Sequence, residues 1–114
     1  MFREVEAQEP DLIKEMAESL GSAGARLEEL LEKLDRALPT VAHLKTICFE
    51  APAAEKHGAI EDVRKAIGEY NLLVDQAENA LAWLLIQREA CGFRTHKNVH
   101  VFYPIPPKIK PFTP

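Results

Sequence analysis

The chain has 114 residues, enough for one domain, and 46% of them are hydrophobic, an ordinary share for a globular protein. No apolar run reaches the ~18 residues of a membrane span, and the opening Met-Phe-Arg-Glu-Val-Glu lacks a signal-peptide core, so a cytoplasmic protein with no membrane partner is expected. Two cysteines, Cys48 and Cys91, are too few for a disulfide framework. The net charge of −4 is unevenly spread: residues 1–87 carry 17 acids against nine Lys and Arg, and residues 88–114 carry one acid against five bases. An acidic body with a basic tail predicts a tail lying on its own body or on a neighbour, ahead of an anion-binding tail.

Pro10-Asp11 reads as a helix start, with Asp11 and Glu15 at the positive end of the dipole. Apolar residues then fall at Ile13, Met16, Leu20, Ala23, Leu27, Leu30, Leu34 and Ala37. The spacing alternates three and four, the heptad pattern of a coiled-coil seam. Gly21 to Ala25 is a run of small residues that keeps the phase, which predicts a continuous helix closely approached by a neighbour. Pro39 predicts a kink or a break in a helix over 10–49, although Val41, Leu44 and Cys48 continue the seam beyond it.

A turn is expected at Glu50-Ala51-Pro52. A second helix over 52–91, starting at Pro52 or Gly58, follows with the seam Ile60, Val63, Ile67, Tyr70, Val74, Ala77, Leu81 and Leu84. Gly92 suits the residue that closes it. Each helix would be ~57 Å long at 1.5 Å per residue. Equal helices around a short turn predict an antiparallel hairpin that sets Leu34 near Ile67, Leu27 near Val74, and Gly21–Ala25 near Ala77 and Ala80.

The back of the second helix is not polar. Leu72, Trp83 and Ile86 lie opposite the seam, with Leu73 and Leu85 on its flanks. Burying one such side chain gains ~1.5–3 kcal/mol. An all-α homodimer, two hairpins forming a four-helix bundle through this face, is therefore expected. The protein's own tail is the alternative cover.

The tail, 92–114, ends in Pro104, Pro106, Pro107, Pro111 and Pro114, which enforce extended geometry. Val99, Val101 and Tyr103 alternate with His100 and Phe102, a short strand signal. An extended arm packing through Phe102, Tyr103 and Ile105 is expected, on its own bundle or a partner's. Capture of another protein by the arm is the sharper alternative; Pro104-x-x-Pro107 is too short a match to carry it.

Chemistry is sparse. Cys91, His96 and His100 have spacing that zinc could use, with Cys48 or His57 as a fourth ligand, but no Cys-x-x-Cys supports them, and no metal or cofactor is expected. A nucleophilic pair of Cys91 with His96 or His100 would place its thiolate at a helix C-terminus, where the dipole opposes it, so no enzyme is expected. Phe93, Phe102 and Tyr103 could stack on bases, but the acidic body repels phosphates, making nucleic acid a poor partner. Arg88 takes a seam position where an apolar residue is due; near Asp11, Ile13 and Glu15, it should make a helix-end ion pair.

The run Gln87-Arg88-Glu89-Ala90-Cys91-Gly92-Phe93-Arg94-Thr95-His96, with Tyr103-Pro104-Ile105-Pro106 after it, resembles a small bacterial family of helical proteins of similar length. Its members carry this helix end and a Tyr-x-x-Pro element. The resemblance covers the last third of the chain closely and the helices loosely. It implies a bacterial source and no particular activity. The functional expectation is a non-enzymatic module for protein interaction or assembly, working as a helical dimer.

Overall fold

A computed structural model describes residues 10–114. Two long helices, α1 (Pro10–Glu50) and α2 (Ala53–Ala90), form an antiparallel hairpin, and a single turn of helix, α3 (Val99–Phe102), precedes a C-terminal arm without regular secondary structure. The described residues form a thin slab of 70 × 23 × 15 Å with a radius of gyration of 20.1 Å. A compact chain of this length would have about 13 Å. So thin a body covers each helix on a limited arc and leaves much apolar surface in reach of solvent.

The heptad seams make the interface. Taking Leu20, Leu27, Leu34, Val41 and Cys48 as position a of α1 and Ala23 and Leu30 as position d, all are buried but Leu20, which is half-buried near the open end. On α2, Ile67 and Val74 at a and Val63, Tyr70, Ala77 and Leu84 at d are buried as well. Ser19 Oγ donates to Gln87 Oε1 at 2.7 Å across the open end. No side chain of the last turn of α1 is basic. Lys56, from the first turn of α2, supplies the missing cation: its Nζ donates to the carbonyls of Cys48 at 2.8 Å and Phe49 at 3.3 Å.

Pro39 neither breaks α1 nor starts a new helix. It sits at position f, on the exposed side of the helix. The hydrogen bond it cannot make is thus lost where water can take over, while Val41 and Cys48 keep the seam in phase beyond it. The second helix starts at Ala53, with Pro52 as its extended N-cap, rather than at Gly58. The strand expected around Val99–Tyr103 is a helical turn instead. Phe102 N–H donates to the Asn98 carbonyl at 3.1 Å and Tyr103 N–H to that of Val99 at 2.9 Å, which turns Val99 into the core; no strand is present among the described residues to pair with one. From Pro104 onward the chain has no regular secondary structure.

Candidate functional site

The arm leaves α2 through a fixed corner. Gly92 adopts φ 96°, and the N–H groups of Phe93 and Gly92 return to the carbonyls of Arg88 and Glu89, both at 3.0 Å. This pair of bonds is a Schellman closure, which needs a residue without a Cβ at its left-handed position. Arg88 locks the corner from the side. Its guanidinium carbon lies 4.5 Å from the centre of the Phe93 ring, its Nη2 donates to Thr95 O at 3.1 Å, and its Nε donates to His96 Nδ1 at 3.1 Å. An acceptor at Nδ1 places the ring proton of a neutral His96 on Nε2. That buried nitrogen faces Glu89 Oε2 at 3.5 Å, too far for a good hydrogen bond. Arg88 thus serves the arm; the expected pairing with Asp11 or Glu15 is replaced because the nearer acceptors lie on the segment leaving Gly92.

Beyond α3 the arm runs along one face of the hairpin. In an antiparallel pair the e positions of both helices border the same face. On α1 these are Ala17, Gly24, Leu31 and Leu38, small or apolar, followed by Lys45 near the turn; on α2 they include Asn71 and Glu78. The Tyr103 hydroxyl lies over Gly24, where a Cβ would come within 3.2 Å of it. The close approach expected at the small-residue segment is therefore made there by the arm. Pro104, Ile105 and Pro106 wall a cleft with Leu31, Leu34, Leu38 and Tyr70. Burial in this wall raises the Tyr70 phenol above its ordinary pKa.

Two polar anchors fix the register. Asn71 Nδ2 donates to the Ile109 carbonyl at 2.9 Å, and Ile109 N–H donates to Asn71 Oδ1 at 2.8 Å. One residue earlier, Lys108 Nζ meets Asp75 Oδ1 at 2.6 Å; the hydrogen bond and charge of Asp75 hold the ammonium pKa above its usual value. The basic tail therefore lies against its own acidic body. Phe112 is buried near the turn, edge-on to Phe49 with ring centres 6.1 Å apart.

The outer face of α2 stays open. Leu72 is 57% exposed, Trp83 54% and Ile86 53%, although Leu73 and Leu85 are half-buried. The arm occupies the e face and does not reach them. Of the arm residues expected to pack, Tyr103 and Ile105 lie half-buried against their own hairpin and Phe102 is 74% exposed.

Among the described residues no three His, Cys, Asp or Glu side chains gather as a metal site requires. Of the candidate ligands, the Cys91 thiol points at the Met16 carbonyl 3.9 Å away, His96 is engaged by Arg88, and His100 is exposed. No helix among the described residues is long and apolar enough to cross a membrane. Asn71 and Asp75 were not singled out from the sequence. The sign that could have found them is the e flank of α1 from Ala17 to Leu38, small or apolar, which requires a cover.

The chain matches no protein-family model, no curated protein and no solved structure.

Proposed function

We propose that the protein is a non-enzymatic interaction or assembly module of the cytoplasm that works as a homodimer, two hairpins joined through the outer faces of their α2 helices. The carrying observation is the open strip Leu72, Gln76, Asn79, Trp83 and Ile86. Over these fifteen residues of helix the outward positions c and f hold no charge. Leu72, Asn79 and Ile86 are spaced by sevens, a second heptad on the back of the first. The strip is self-complementary. A two-fold axis at Asn79 in an antiparallel pair sets Leu72 against the partner's Ile86, and Asn79 against its own copy, where paired carboxamides fix register. Covering Leu72, Trp83 and Ile86 is favourable by ~1.5–3 kcal/mol for each side chain fully buried. The arm leaves that strip free, which favours a second copy over the tail as its cover.

Absolute mass by light scattering tests this reading. The full chain should run at twice its 12.8 kDa, and Trp83→Asp should run as a folded monomer. A full-length protein that stays monomeric at high concentration would overturn the proposal.

A further inference from the structure

The arm is gripped the way a bound peptide is. Tyr103, Pro106, Ile109 and Phe112, spaced by three as in polyproline II, are buried or half-buried, and Ile105 adds a contact between the first two. Between them Pro107, Lys110 and Pro111 are exposed, and Lys108, also exposed, pairs with Asp75. Asn71 bonds both the N–H and the carbonyl of Ile109, so it recognises an extended main chain and not a particular side chain. Asp75 adds the demand for a cation one residue earlier. None of these contacts depends on the covalent link between the arm and α2. Beyond the corner that Arg88 holds at Phe93, Thr95 and His96, the connector carries little packing before Val99: Lys97 and Asn98 are exposed.

We infer that the e-face groove of the hairpin is a recognition site for an extended segment spaced Tyr-x-x-Pro-x-x-Ile-x-x-Phe with Lys before the Ile, and that the arm of a second copy enters it in trans. Groove and ligand are carried by one chain, so reciprocal exchange satisfies the same contacts twice without any new surface. The grip on the main chain also explains how it can be local: Asn71 and Asp75 lie one turn apart and hold two consecutive residues. This exchange does not rest on the α2 outer face, which lies on another side of the hairpin.

The native ion pair provides the test. Carbodiimide condenses a lysine with a carboxylate in contact, so it should link Lys108 to Asp75 in the unaltered full chain. Isotopically heavy and light chains are mixed in denaturant, refolded together and cross-linked. Mass spectrometry then reads the labels on the two halves of the Asp75–Lys108 product. The expected result is a product carrying one heavy and one light half, reduced by excess synthetic peptide spanning residues 103–114. A product that forms readily but always joins halves of the same label overturns the inference. The same mixture prepared with Trp83→Asp separates the two surfaces. Mixed labels that persist there support exchange, whereas mixed labels that vanish come from outer-face proximity and overturn it.

Discussion

Asn71 and Ile109 exchange two hydrogen bonds, 38 residues apart in sequence, with the side chain of one closing on the backbone of the other. Both backbone groups are part-buried, so their loss leaves a donor and an acceptor short of partners. Asn71→Leu should cost about 1–2 kcal/mol, measured by urea unfolding. Asn71→Asp keeps the acceptor for Ile109 N–H but cannot donate to its carbonyl, and should cost less. In both variants amide exchange at Ile109 should accelerate more than at Val74, whose protection comes from the seam.

Alkaline pH should release the arm and loosen the hairpin together. Lys108 is held above its ordinary 10.5 by Asp75, so its contribution is whole below 10.5 and fades as pH rises through the folded value. Tyr70 is raised above 10.0 by burial, so the unfolded chain gives up that proton first, and stability again falls as pH rises. Melting temperature should drop between about pH 9 and about pH 12. Tyr70→Phe should remove part of the slope, and Asp75→Asn should remove the part owed to Lys108.

Two glycines of α1 should respond differently to the same change. A Cβ at Gly21 meets nothing within 4 Å, so Gly21→Ala should gain up to about 1 kcal/mol from helix propensity. At Gly24 the new methyl would press on the Tyr103 hydroxyl at 3.2 Å, the movable end of a side chain. Gly24→Ala should gain less than Gly21→Ala, and Gly24→Leu should lift Tyr103 from the groove. Thermal melts rank the three, and the emission of Trp83 in each reports whether α2 is disturbed.

The corner at Arg88 should not tolerate lysine. A single ammonium cannot serve Thr95 O, His96 Nδ1 and the Phe93 ring at once, because these sites match the planar fork of a guanidinium. Arg88→Lys should raise proteolysis in the exposed stretch 93–98 while leaving the circular dichroism of the two long helices intact. Gly92→Ala should cost about 1–2 kcal/mol, since φ 96° is unfavourable for any residue with a Cβ.

The hairpin was legible in the sequence because its cause is periodic. Every residue buried on α2 belongs to the seam written out from the spacing alone, and on α1 the only addition is Gly24. Tyr70, at a position that could have been polar, is core for the same reason. The arm was harder. Its alternation at Val99 and Val101 imitates a strand, but a strand needs an edge to pair with, and periodicity does not reveal that none is near. Arg88 was placed at the right end of the hairpin with the wrong neighbours, because its acceptors lie on a segment whose path depends on the Gly92 corner. The exposure of Leu72, Trp83 and Ile86 followed directly from their place opposite the seam.

The order of the sequence gives the groove a history. Its walls are Leu31, Leu34, Leu38 and Tyr70, and its clamp is Asn71 and Asp75; all are synthesised before Ile109 and Phe112. A hairpin emerging from the ribosome therefore presents an empty groove for a time, and a neighbour's finished arm can reach it only before its own arm, favoured by the tether, has emerged. Local concentration at the site of translation, more than affinity, would then decide which chain each groove holds.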